Sequence, residues 1–268
     1  MLGLGILSWK GYDSLEASLA TYNRIGMLDL FDEVVAYLPE AAEPGPAICR
    51  AAGVRPVEVA ANDGILPGFE GLARSMSADI VLLVENDCPV IVGYEEAKRQ
   101  ILHARHLIES GEARIVRLRS LAEPGEAFTT RQKFHRYFPA EGADWPTRLR
   151  AALKRFLRPN RTRRALGEAV LHDHKRAADH GIARFDAEGF GLTTSRHIPW
   201  TNQSVMMKRE DFLASVIDVA KAADTRRRVN GAKNIEIEMN APHWRQAEIP
   251  IAVAPGIFTH RRVGSRGY

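Results

Sequence analysis

The tripeptide Glu85-Asn86-Asp87 places two carboxylates one residue apart, directly after the apolar run Ile80-Val81-Leu82-Leu83-Val84. A hard dication such as Mg2+ or Mn2+ takes one or two protein carboxylates and fills its shell with water and phosphate oxygens. Acids in this position therefore suit a metal that in turn holds a nucleoside diphosphate. The plainer alternative is that acidic residues after a strand start a turn or cap the next helix. The run in front favours a ligand site: an uninterrupted apolar stretch reads as a strand covered on both faces. In open α/β sheets, ligands lie beyond the carboxyl ends of such central strands. The adjacent Cys88 is a poor partner for a hard cation, since a lone thiol among oxygens suits softer metals; strand-end packing is its expected role.

A sheet must hold that tripeptide. Over residues 1–120, short β-rich runs alternate with helical patterns, which is the signature of βαβ units and a mainly parallel sheet. The runs predict strands at 4–8, 33–38, 56–60, 79–84 and 114–118. Between the first two, Leu15, Leu19, Tyr22 and Ile25 recur at helical spacing, with Asp13 or Ser14 placed to cap the helix start. A helix is expected over 95–108, followed by irregular chain around 123–125 and 131–145. Beyond it lie a helix over 166–180, a strand at 203–207, helices at 211–222 and 234–246, and a closing strand pair over 249–259. No internal repeat or low-complexity tract interrupts this order.

The opening Gly5-Ile6-Leu7-Ser8-Trp9-Lys10-Gly11-Tyr12-Asp13-Ser14-Leu15 resembles the first strand and helix of family 2-like glycosyltransferases with the GT-A fold. Ala61-Asn62-Asp63-Gly64 resembles their second donor-binding loop. Val81-Leu82-Leu83-Val84-Glu85-Asn86-Asp87 resembles the strand and its metal-binding D-x-D motif, with Glu in place of the first Asp. The likeness is good over residues 3–92 and patchy afterwards. It implies an α/β, GT-A (Rossmann-like) fold: a central, mainly parallel sheet flanked by helices, with a basic helical insertion. One domain over 1–268 would divide into a nucleotide-binding half (1–120), an insertion or lid (121–182), and an acceptor-binding half with a C-terminal loop (183–268).

The same resemblance implies roles. Asp87 would bind the metal, and Glu85 the ribose or the metal through water, with Asn86 between them at the donor. Ser8 and Trp9 would lie near the base, and Asn62 and Asp63 would contact base or ribose. Pro199-Trp200-Thr201-Asn202-Gln203 looks like the segment presenting side chains to the donor sugar, through Trp200 and Asn202, although a tryptophan there is equally a core residue. Inverting transfer requires a base to take the acceptor hydroxyl's proton. Family members carry it as an acid at a helix start facing the donor; Glu236 and Glu238 both fit, with Glu238 slightly favoured. Two acids in a helix's first turn are also what the helix dipole alone selects. In Gly256-Ile257-Phe258-Thr259-His260-Arg261-Arg262, His260 would complete the metal site. Arg261 and Arg262 would neutralise the diphosphate, a task suited to guanidinium. The tail at 265–268 would stay mobile until donor binds.

The implied reaction is metal-dependent, inverting transfer of a sugar from a nucleoside diphosphate donor to a hydroxyl on a glycan or glycolipid. A nucleotidyltransferase of related fold is the enzymatic rival, disfavoured because only Lys10 and Gly11 stand where a glycine-rich, lysine-bearing loop is needed. A non-catalytic nucleotide-sugar or carbohydrate-binding scaffold is the rival of another class.

Composition agrees with a folded domain: 268 residues, 45% hydrophobic, 26% charged, 7% aromatic. Apolar runs fall far short of the roughly 20 residues that cross a bilayer. Met1 to Leu7 reads as a core strand rather than a signal peptide. Two cysteines suit a reducing compartment, hence a cytoplasmic expectation. Within a net charge of +4, the cations crowd into 148–164, where Leu149, Leu153, Phe156 and Leu157 recur at helical spacing. An amphipathic helix there would suit an anionic membrane surface or a phosphorylated glycolipid, or else pack its leucines inward and solvate its basic face. Aromatic interleaving is too thin for nucleic acid.

Overall fold

The computed structural model describes residues 1–126, 129–223, 225, 228 and 231–264; the tail at 265–268 lies outside them. Nine strands are described: β1 (Leu2–Leu7), β2 (Glu33–Pro39), β3 (Arg55–Val59), β4 (Ile80–Glu85), β5 (Ile115–Arg119), β6 (Arg184–Phe185), β7 (Gly191–Thr194), β8 (Val205–Lys208) and β9 (Pro250–Phe258). They form one sheet in the order β3-β2-β1-β4-β8-β5-β9-β7-β6. Pairings β1 to β2, β2 to β3, β1 to β4 and β5 to β9 are parallel, whereas β8 runs antiparallel to both β4 and β5.

The chain steps outward from β1 to β3, then crosses back to lay β4 on the other side of β1. The carboxyl ends of β1 and β4 thus flank the point where strand order reverses, which is where such sheets open a crevice. Ser8 and Trp9 follow one end of that gap, and Glu85 closes the other.

Strand β4 explains its own composition. Val81 and Leu83 enter one core cluster while Ile80, Leu82 and Val84 enter the other, so both pleat faces are dry and no position tolerates a polar side chain. On one face lie the helices Tyr12–Ile25, Gly45–Ala51 and Tyr94–Glu109; on the other, Ile65–Arg74 and the continuous stretch Arg209–Phe212, Leu213–Ile217, Asp218–Ala222, whose middle turn is π-helical.

Several local expectations change. The first helix has Gly11 at its N-cap and no side-chain cap; Ser14 instead exchanges hydrogen bonds with the Val263 backbone, at 3.0 and 2.9 Å. Where one helix was expected over 166–180, the chain forms Pro159–Gly167, a 3-10 turn Glu168–Leu171 and His174–Asp179. Thr129–His135 is helical although its sequence reads as irregular. The helix expected over 234–246 breaks into Ile235–Met239 and Pro242–Gln246, because Pro242 lacks the amide needed to continue the first and suits the opening turn of the second. The closing segment is the single strand β9, whose partners are β5 and β7. The 121–182 region shares the main core through Ala165, Ala169, Val170, Leu171 and Ala177.

Candidate active site

Strand β4 ends at Glu85, and the chain turns through Asn86 into Asp87, which is almost fully buried. Asn86 is a structural tie. Its side chain donates to the Gly11 carbonyl at 2.7 Å, and its own carbonyl accepts from Ser18 Oγ at 2.7 Å. A Cβ at Gly11 would sit 2.2 Å from Asn86 Nδ2, so glycine lets the β1 turn close against the β4 turn. The side chain expected at the donor is spent on joining these loops.

Asp87 Oδ2 accepts from His260 Nε2 and from Arg262 Nη2, both at 3.0 Å. His260 Nδ1 meets the Glu126 carbonyl at 3.2 Å. Both ring nitrogens thus face acceptors, a demand met in full only by the imidazolium. Burial by itself would depress the His260 pKa, but the hydrogen bond to Asp87 and its charge raise it above the ordinary histidine value. For Asp87, burial would push upward; the His260 hydrogen bond and the charges of His260 and Arg262 outweigh it and hold the carboxyl low. Glu85 goes the other way. Burial, then the nearby charges of Asp87 and Glu236, push it up to about 7 against the pull of His260 and Arg262.

Glu85, Asp87 and His260 offer one ligand atom each, all within 4.8 Å of one another. Asp87 Oδ1 is buried with no hydrogen-bond partner. A buried carboxylate oxygen without a partner is costly, and a cation would satisfy it. The two carboxylates suit a hard dication such as Mg2+ or Mn2+, and the imidazole favours a first-row ion over Mg2+. Cys88 is not among them: it lies in the core, and burial drives its thiol pKa far up.

His260 depends on a clamp that sequence reasoning missed. Arg119, at the end of β5, donates from Nε to the Pro124 carbonyl at 2.7 Å and from Nη2 to the Glu126 carbonyl at 2.8 Å, and also binds Gln203. The loop it grips bridges Gly125 to His260. Two arginines, Arg117 and Arg119, alternating along an otherwise apolar strand were the available signal. Gly125 has φ +75°, and a Cβ there would lie 2.1 Å from the His260 carbonyl oxygen. Gly125→Ala is therefore expected to cost more than the ~1–2 kcal/mol of left-handed backbone alone, because the clash is with main chain. Denaturant midpoints should fall, and Mn2+ titration should show weaker binding; an unchanged midpoint would contradict the bridge.

The C-terminal loop is laced over the site. Thr259 and Arg261 donate backbone amides to the Pro89 and Asp87 carbonyls at 3.1 and 2.9 Å. The Arg261 side chain is exposed, so Arg262 alone of the expected arginine pair touches the acid cluster.

The other expected residues separate by neighbourhood. Ser8 is buried with its Oγ unpartnered. Trp9 donates to Glu40 Oε2 at 2.7 Å, and Lys10 lies 3.1 Å from the same carboxylate. Lys10 and Glu40, following β1 and β2, both hold φ of +48°, a strain that clusters at functional sites. Asn62 Oδ1 accepts from the Gly64 amide at 3.0 Å, shaping the turn that carries Asp63, whose charge helps raise the Tyr37 pKa after burial. All of these follow the carboxyl ends of β1, β2 and β3 on one edge.

Trp200 is a core residue. Its ring stacks on Phe212 at 6.3 Å and meets Trp244 edge-on at 5.6 Å, and its Nε1 donates to buried Asn202 at 2.9 Å. That pairing occupies the indole N–H and the Asn202 Oδ1 with each other. Glu238 is fully buried, accepting from Thr225 at 2.7 Å with Arg228 at 4.0 Å. Its helix turns Glu236 toward the site instead: the carboxylate is half-buried, accepts from Thr201 Oγ1 and the Asn202 amide at 3.1 and 3.2 Å, and its charge reaches Glu85.

No protein-family model matches this sequence, and no curated protein matches it. Solved structures do. Glucosyl-3-phosphoglycerate synthase from Mycobacterium tuberculosis, in complex with Mn2+, UDP-glucose and phosphoglyceric acid, is similar at TM-score 0.51 and 14% identity over 98% of this chain and 73% of that one. A mannosyltransferase from Pyrobaculum calidifontis, in complex with GDP-Man and Mn2+, is similar at TM-score 0.52 and 12% identity. The match covers 100% of this chain and 58% of that one. The chain has the GT-A glycosyltransferase fold, with a mostly parallel sheet between helical layers.

Proposed function

We propose that the protein is a metal-dependent glycosyltransferase that moves a sugar from a nucleoside diphosphate donor to a hydroxyl of a glycan or glycolipid, with inversion. One observation carries this reading: Asp87 Oδ1, buried and without a partner, beside Glu85 and His260 at the strand-order reversal. The complexes of both structural neighbours contain Mn2+ and a nucleotide sugar, which supports the same ligand class here.

Asp87 and His260 would hold the cation, with Glu85 beside them or reaching it through water. When bound, a divalent cation acts as a Lewis acid on the diphosphate and stabilises the charge that grows on the leaving group. Binding at His260 requires the neutral ring, so His260 would release to solvent the proton it directs at Asp87 before ligating a cation. Arg262, which neutralises Asp87 at 3.0 Å, is the cation beside the diphosphate position, with Arg261 exposed next to it. Ser8, Trp9, Asn62 and Asp63, at the carboxyl ends of β1 and β3, would border the nucleoside.

Glu236 is the base. Both of its side-chain hydrogen bonds fall on Oε1, which holds the carboxylate in place and leaves Oε2 to receive a proton, and its charge is felt at Glu85. It would take the acceptor hydroxyl's proton as that oxygen attacks the anomeric carbon opposite the departing diphosphate.

A thermal-shift comparison with UDP or GDP, with and without Mn2+, tests the donor site. Ligand at about 100 times its Kd adds roughly 2.7 kcal/mol, so a rise of about 5–10 °C in Tm is expected for a domain of this size. The rise should need nucleotide and metal together. A nucleotide shift indifferent to EDTA would refute the metal site. Release of nucleoside diphosphate from a nucleotide-sugar panel separates a transferase from a binding scaffold.

A further inference from the structure

The helix Trp145–Leu157 is built in an unusual way for a surface helix. It is well started, with Asp144 accepting from the Thr147 amide at 3.0 Å and proline in its first turn. Its one fully buried residue is Ala151. Among the described residues, eight large apolar side chains are exposed, and five belong to this helix: Trp145 72%, Leu149 56%, Leu153 58%, Phe156 83% and Leu157 64%. At about 100° per residue these five occupy an arc of roughly 120°. Ala151 lies almost opposite the middle of that arc. The apolar stripe therefore points away from the protein body, the reverse of what packing against a core would select.

Cations flank the stripe. Arg150 and Lys154 follow one edge and Arg148 the other, while Arg155 is drawn inward to the Tyr137 carbonyl at 2.6 Å. Residues 145–167 contain eight Lys or Arg and no Asp or Glu, and the following helix Pro159–Gly167 continues the charge through exposed Arg161, Arg163 and Arg164.

We propose that this helix docks the protein on an anionic lipid bilayer, with Trp145, Leu149, Leu153, Phe156 and Leu157 in the boundary between headgroups and acyl chains. An outward apolar face rimmed by arginine and lysine is what an interfacial helix needs: apolar area supplies insertion, and the rim meets lipid phosphates. A second copy is a poor occupant, since two such faces would bring their rims of Arg148, Arg150 and Lys154 against each other. Nucleic acid needs no outward leucines and phenylalanine. The proposal goes beyond sugar transfer and stands apart from it, because docking requires neither donor nor metal.

The test is co-sedimentation of the full chain with phosphatidylcholine vesicles, with and without about one-third phosphatidylglycerol. Binding to the anionic vesicles should be at least about tenfold tighter and weaken with salt. Tryptophan emission should shift to the blue on binding, and Trp145→Phe should remove that shift. The double variant L149S/F156S should bind about 100-fold more weakly with an unchanged Tm, since both side chains are exposed. Equal binding to neutral and anionic vesicles, undiminished binding by the double variant, or a blue shift that survives Trp145→Phe overturns the proposal. So does a protein that ignores vesicles yet self-associates or binds an oligonucleotide through this helix.

Discussion

Asp87→Asn is expected to lower transfer by about a thousandfold or more while leaving the fold intact, as befits loss of the group that anchors charge stabilisation at the leaving diphosphate. Asparagine keeps the shape and can still accept one hydrogen bond, but it leaves His260 and Arg262 without the carboxylate that both contact at 3.0 Å. The main-chain bond from the Arg261 amide to the Asp87 carbonyl, 2.9 Å, is unaffected, so the C-terminal loop stays attached. Three readouts belong together: turnover at saturating donor, the Mn2+-dependent part of the thermal shift, and the circular dichroism spectrum. The first two should collapse and the third should not change. Turnover near wild type would remove Asp87 from the site.

Glu236→Gln should lower kcat by about 10^2 to 10^4-fold, the usual contribution of a general base, and leave donor-dependent stabilisation in place. Glutamine can still accept from Thr201 and the Asn202 amide, so the loop should not move. Glu238→Gln is the paired control: its carboxylate is fully buried against Thr225, out of reach of an acceptor. Its kcat should stay close to wild type, and any effect should appear in stability, since one of its oxygens is buried without a partner. If neither variant slows transfer at saturating donor, the base lies elsewhere; if Glu238→Gln alone does, the orientation argued for this helix is incorrect.

Much of the site's frame was legible because local patterns report burial directly. The run Ile80 to Val84 has no polar residue because both faces of β4 are covered, and that places the acids after it at the sheet edge. Leu15, Leu19 and Tyr22 fall on one face of a helix and are all buried. Shorter elements were illegible: β6 has two residues and β7 four, too few for a period to show. The pull of long-range partners was equally hidden. Ser14 looks like a cap, yet its hydroxyl is used by Val263 across the molecule. Trp200 looks like a donor contact in a polar loop, yet Phe212 and Trp244 hold its ring in the core.

Periodicity and polarity act over a few neighbouring residues, so the alternation of strands and helices, the buried central strand and the two acids at its tip can be read along the chain. Which remote groups join those acids is set by the folded arrangement. It brought His260 and Arg262 onto Asp87 from 173 and 175 residues away, buried Glu238 against Thr225 while leaving Glu236 half-buried, and turned the stripe from Trp145 to Leu157 outward. Each of those outcomes depends on packing between elements far apart in the chain, which no local pattern encodes.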